Sequence, residues 1–147
     1  MDPMDIFRKK FDDYRQIVIV EGPQEAHDFL MQGYAERQKK SLGPSIEKNS
    51  LYEGFKKAIP VYAQLGIVME AVDVSSNGMD AVIRVHRVCP FMDMAKQYGF
   101  EKPCHIICDL DIEATIEAFD GIMCKTISCQ ADGDCVCIFK YERPIKK

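Results

Sequence analysis

Apolar residues recur along the first part of the chain at helical spacing. Ile6, Phe7, Phe11, Tyr14, Ile17 and Val18 fall near a 3.6-residue period, which predicts a helix from Asp5 to about Val20 with one buried face. Gly22-Pro23 ends it. Pro23 suits the first turn of a second helix, with Glu25 at the favourable N-terminal end, running to about Lys40. Its inward positions are Ala26, Phe29, Leu30, Gly33 and Tyr34, and Gly43-Pro44 breaks it. A third helix begins near Asn49-Ser50, where Ser50 and Glu53 fit a capping box. Pro60 inside it is expected to kink or restart it.

The period then changes from helical to strand-like. Val72 and Val74, then Ala81, Ile83 and Val85, alternate with polar residues on either side of Ser76-Asn77-Gly78. Asn-Gly between alternating runs is a strong hairpin signal, so residues 70–75 and 79–88 are expected to pair antiparallel. Cys89-Pro90 closes the second strand, and a short helix follows from Phe91 to Tyr98, stopped by Gly99. Cys104 to Phe119 fits a further helix. A second hairpin runs from Ile122 to Gln130, turns at Ala131 to Asp134, and returns from Cys135 to Tyr141. The expected fold is α+β: a helical N-terminal half, then an antiparallel sheet of two hairpins with helices packed on it. A length of 147 residues suits one domain, mainly helical over 1–69 and cysteine-bearing α+β over 70–142.

Charge narrows the partners. The formal net charge is -4, which argues against a nucleic-acid groove, since that would need a basic stripe. Arg8-Lys9-Lys10, Arg37-Lys39-Lys40 and Lys146-Lys147 are short enough to be solvated faces and a tail. No window approaches the ~20 apolar residues that span a bilayer, and the start of the chain lacks an apolar secretion segment. The expectation is a cytoplasmic protein with no membrane or nucleic-acid partner, a small-molecule ligand or substrate, and a homodimer as an open option.

Cysteine changes the picture most. Residues 1–88 contain none, and Cys89, Cys104, Cys108, Cys124, Cys129, Cys135 and Cys137 all follow. An odd count and a reducing compartment argue against a complete disulfide framework. On a strand Cys135 and Cys137 share a face with Phe139 and Tyr141, and a tight turn would bring Cys129 close to them. On a helix Cys104 and Cys108 share a face. A helix with Cys-x3-Cys packed on such a hairpin is able to build a thiolate site for zinc, or for iron or an iron–sulfur cluster. The competing reading is that Cys is a small buried hydrophobe. Within CHIICDLD, His105 neighbours Cys108 and Asp109, an arrangement that can activate a thiol and orient an imidazole, or be an ordinary exposed helix pair. Cys89 precedes a helix N-terminus, which favours a thiolate. His27 and His86 look structural.

The order Cys89-Pro90, Cys104, Cys108-Asp109, Lys125-Thr126 and Gly133-Asp134-x-x-Cys137-x-Phe139-x-Tyr141 resembles the bacterial L-2-amino-thiazoline-4-carboxylic acid hydrolases over residues 82–142. The ending Gly-Asp-x-x-Cys-x-Phe is also similar to the tail of the 4-vinyl reductase domain, a small-molecule-binding α+β module. That second likeness implies zinc held by Cys129 and Cys137 with Cys104 or Cys108, although Thr126 stands where a carboxylate ligand would fall. The first implies a hydrolase that opens a C–N bond of a small cyclic amidine. Cys89, His105 and Asp109 are then the catalytic candidates, and Arg84 or Arg87 the cation for the substrate carboxylate. The alternatives are a non-catalytic small-molecule or metal sensor, or a cysteine-ligated metal or cluster protein.

Overall fold

The computed structural model describes residues 2–145. Helix α1 (Asp5–Glu21) buries Phe11 and Tyr14, as the helical period predicts. The expected second helix is broken in two, α2 (Pro23–Met31) and α3 (Tyr34–Ser41). Gln32 is extended and Gly33 lies in the left-handed region at φ 68°, a conformation that glycine adopts without penalty. A short α4 (Gly43–Glu47) leads to α5 (Leu51–Gln64), whose Ser50 hydroxyl accepts the Glu53 amide at 3.1 Å. Helix α5 continues through Pro60 without restarting.

Strands β1 (Met69–Asp73) and β2 (Met79–His86) form the expected hairpin, turning at Asn77 and Gly78, both with positive φ. Next come α6 (Phe91–Gln97), α7 (Cys108–Ala118), β3 (Met123–Ser128), a single 3-10 turn at Gln130–Asp132, and β4 (Cys137–Pro144). The sheet is antiparallel in the order β1-β2-β4-β3, so the two hairpins join through β2 and β4. This is the α+β architecture expected from the periodicity.

Two features differ from the sequence reading. The expected helix over 104–119 begins only at Cys108; before it the chain turns, with the Ile106 and Ile107 amides donating to the Pro103 carbonyl and the Asp109 amide reaching back to the Cys104 carbonyl. In addition, the inward face of β2 is its polar one. Asp80, Val82, Arg84 and His86 are buried, while Ile83 and Val85 are half-buried on the other face. They stand opposite Arg143, Tyr141, Phe139 and Cys137 of β4.

Two apolar clusters fill the interior. One joins α1 and α2 to α6 and α7 through Phe11, Leu30, Phe91 and Leu110. The other joins α4 and α5 to the sheet through Ile46, Phe55, Phe139 and Tyr141, and Cys108 on α7 touches both. Each large side chain so buried contributes roughly 1.5–3 kcal/mol.

Asp80 and Arg143 fasten α5 to the sheet. The Leu51 amide, at the start of α5, donates to both Asp80 oxygens at 3.2 and 3.1 Å. The Arg143 Nε donates to Asp80 at 2.9 Å, and its Nη2 donates to the Ile46 and Asn49 carbonyls. Removing one member leaves the others desolvated and unpaired. Asp80→Ala is therefore expected to lower unfolding free energy by about 3 kcal/mol in a urea titration. A change within about 0.5 kcal/mol, typical of a surface site, would refute that role.

Candidate functional site

The buried face of β2 carries an arginine that no carboxylate among the described residues pairs with. Arg84 is 6 % exposed. Its Nη1 donates to the Tyr141 hydroxyl at 3.0 Å, and its Nη2 meets His86 Nε2 at 3.1 Å. The guanidinium lies 5.2–5.8 Å from the ring centroids of Phe55, Tyr62, Phe139 and Tyr141. Among the described residues no carboxylate pairs with it, and its Nε is buried without a partner. A guanidinium keeps its proton in proteins, so a full positive charge sits in an aromatic box.

His86 is adapted to that charge. An arginine donor requires His86 Nε2 to accept, which places the imidazole proton on Nδ1. Burial, then the field of Arg84, lowers the His86 pKa to about 3, so the ring is neutral. Burial likewise raises the Tyr62 and Tyr141 hydroxyls well clear of neutral pH.

Arg84 lines a cavity of about 250 Å³ between α1, α7 and the sheet. Its walls are largely apolar and include Phe7, Phe91, Ile107 and Ile112. A second polar group faces it from the helices. Asp111 Oδ1 accepts from the Tyr34 hydroxyl and from Gln38 Nε2, both at 3.1 Å. Lys10 Nζ donates to the Tyr34 hydroxyl at 3.2 Å and sits 4.4 Å from the centre of its ring. Burial lowers the Lys10 pKa, with Asp111 acting in the opposite direction.

The candidate residues from the sequence are distributed unevenly around this cavity. Arg84, Cys89, Cys108 and Cys137 line it. Arg87 does not: it is exposed and paired with Glu70 at 3.1 Å. His105 packs edge-on against Tyr14 and Phe100, with centroids 5.3 and 6.1 Å away, off the cavity wall. Burial lowers its pKa and raises that of Asp109. Burial raises the Cys89 pKa, outweighing the opposing influence of the Phe91 and Met92 backbone amides. Cys89, His105 and Asp109 thus do not converge as one constellation. Lys10, Tyr34, His86 and Asp111 were not singled out as ligands from sequence, since each lies at a position that helix or strand periodicity assigns to packing or to solvent.

The thiols divide between the cavity wall and the β3 corner. Cys104 and Cys129 sulfurs approach to 3.4 Å, and Cys137 Sγ accepts the Gln130 amide at 3.3 Å. Cys108 belongs to the cavity wall instead, because α7 starts at Cys108 and Cys104 lies in the turn before it. Cys135 is exposed. Burial raises the Cys104 thiol to about 12 and the Cys137 thiol to about 11. Among the described residues no three His, Cys, Asp or Glu side chains are grouped to hold a metal ion. Of the expected ligands, Cys104 and Cys129 thus sit together, Cys137 lies beside Gln130, and Cys108 stands on the cavity wall.

Comparison with known proteins supports the same architecture. No curated protein matches the chain. Among solved structures, the phenol-responsive sensory domain of the transcription activator PoxR, crystallised with phenol, superposes with a TM-score of 0.63 at 11 % identity. The match covers 92 % of this chain and 73 % of that one, and it establishes a shared fold. Among the described residues no helix is long and apolar enough to cross a membrane. A family profile matches residues 5–141, and the chain belongs to the L-2-amino-thiazoline-4-carboxylic acid hydrolase family.

Proposed function

We propose that the cavity receives a small, mainly apolar carboxylic acid whose carboxylate docks on Arg84. The observation that carries this reading is the buried guanidinium with an unpartnered Nε and no counter-ion. Burying such a charge without an anion costs several kcal/mol, a cost that a bound carboxylate relieves through charge-assisted hydrogen bonds. The cavity volume of about 250 Å³ suits a single ring with a short substituent. The phenol-bound sensory domain of like fold supports a one-ring ligand.

The family name supports a second step, hydrolysis of a C–N bond in a cyclic amidine acid. With the carboxylate on Arg84, Asp111 is the acceptor in the cavity lining for amidine N–H groups. Cys89 and Cys108 border the same space, but burial keeps both thiols protonated and weakens them as nucleophiles. The geometry therefore supports binding more directly than thiol catalysis. Incubating the protein with 2-amino-thiazoline-4-carboxylic acid separates the two steps. Ring-opened product by chromatography supports hydrolysis, and intact acid released from the complex supports a sensor.

Two predictions follow from the charge of the site. Arg84→Met should weaken binding of that acid, or of benzoic acid, by about 10- to 100-fold in calorimetry, the loss expected for a charged hydrogen bond. Its melting temperature should stay level or rise, since an uncompensated buried charge has been removed. Equal binding of benzoic acid and benzamide by the wild-type protein would refute the carboxylate reading.

The second prediction concerns pH. His86 has a folded pKa of about 3, below its unfolded value, so the unfolded chain binds a proton first as pH falls. Its contribution to stability is intact above about pH 6.5 and is lost between there and about pH 3, with a slope of up to ~1.4 kcal/mol per pH unit. His86→Gln should flatten that acid limb in denaturant titrations. An unchanged limb would contradict the neutral, buried imidazole.

A further inference from the structure

We infer that Lys10 and Asp111 form a second anchor in the cavity, which selects ring acids whose substituent both accepts and donates a hydrogen bond, as a hydroxyl does. This inference rests on the reading that a carboxylate docks on Arg84, and it extends that reading from the acid group to the ring.

Three helices meet at this anchor. Lys10 comes from α1, Tyr34 from α3 and Asp111 from α7, and all three line the same cavity as Arg84. Lys10 Nζ donates to the Tyr34 hydroxyl at 3.2 Å, and that hydroxyl donates to Asp111 Oδ1 at 3.1 Å. Gln38 Nε2 donates to the same Oδ1 at 3.1 Å and to the Thr115 hydroxyl at 2.9 Å. Two donors of α3 therefore orient the carboxylate. A group already held this way gives up little freedom when a ligand arrives.

The pair keeps hydrogen-bonding capacity that the described residues do not use. An ammonium has three donors, and Lys10 engages one of them, on Tyr34. Its other neighbours are the Tyr34 and Phe7 rings, with centroids 4.4 and 5.9 Å from Nζ. Asp111 takes both of its side-chain bonds on Oδ1, which leaves Oδ2 as an acceptor. A hydroxyl satisfies both groups at once: its oxygen accepts from the ammonium and its hydrogen donates to the carboxylate. A methoxy group can satisfy only the ammonium, and an unsubstituted ring satisfies neither.

Charge favours the same class of ligand. Arg84 and Lys10 are cations, Asp111 is an anion, and His86 is neutral. One positive charge is left over, which a single carboxylate balances. The second anchor then calls for a neutral donor–acceptor group and not for a second acid.

The test is calorimetry on the full chain with benzoic acid, 3- and 4-hydroxybenzoic acid, and the matching methoxybenzoic acids. The better hydroxy isomer should bind about 10-fold more tightly than benzoic acid, the gain of one hydrogen bond to a charged group. Its methoxy counterpart should lose most of that gain. Lys10→Met should bring the ratio of hydroxybenzoic to benzoic acid affinity down to about one, whereas Lys10→Arg should restore part of it. Arg84→Met should weaken both acids together and keep the ratio, a split that a general structural defect does not produce. Lys9→Met, at an exposed lysine paired with Asp13, should change nothing. The wild-type series needs no variant to fold. Benzoic acid bound as tightly as both hydroxy isomers would overturn this inference and leave the Arg84 reading standing. A preference that survives both Lys10→Met and Asp111→Asn would also overturn it. Failure of every acid to bind would overturn both readings.

Discussion

A positive charge withdrawn from water governs this structure. Arg84 sits among four aromatic rings with two neutral hydrogen-bond partners and, among the described residues, no paired carboxylate. Around it the neighbouring groups are held in the forms that tolerate a cation. His86 is neutral and turns a lone pair to it, and Tyr141 offers its hydroxyl oxygen. A core built for stability alone would place an aliphatic side chain at this position, since apolar replacements of buried ions are commonly neutral or stabilising. The retained guanidinium is the physical basis for the binding reading.

The remainder of the fold positions that charge. Antiparallel pairing of β2 with β4 sets Arg84 opposite Phe139 and Val82 opposite Tyr141. Asp80 and Arg143 fix the far end of the same strand pair to the start of α5, which carries Phe55 and Tyr62 to the guanidinium. Helices α1 and α7 complete the cavity with Lys10 and Asp111, joined through Tyr34. The cavity lining thus carries the Arg84 guanidinium, Lys10 and the Asp111 carboxylate among largely apolar side chains.

Much of the architecture was legible in the sequence because it rests on local signals. The Asn77-Gly78 turn, the Ser50 cap and the helical face of Phe11 and Tyr14 each act within a few residues. The break at Gly33 was not, because a glycine within a helical pattern is compatible with either continuation or a left-handed stop. The site was legible in part. Arg84 was named as a carboxylate partner, but the alternation of β2 points attention to Ala81, Ile83 and Val85, whereas the residues facing the helices are Asp80, Arg84 and His86. Periodicity reports which residues share a face, and only tertiary packing decides which face is inward. The cysteine clustering suggested a metal, yet which thiols meet depends on where α7 begins, and a four-residue delay sends Cys104 to the β3 corner and Cys108 to the cavity.

The most direct measurement is a crystal structure of the protein soaked with benzoic acid or 2-amino-thiazoline-4-carboxylic acid. The account predicts a carboxylate within about 3 Å of the Arg84 guanidinium, whose Nε has no partner among the described residues. An acid bound elsewhere, or an Arg84 whose Nε is met by a carboxylate of the protein itself, would contradict it.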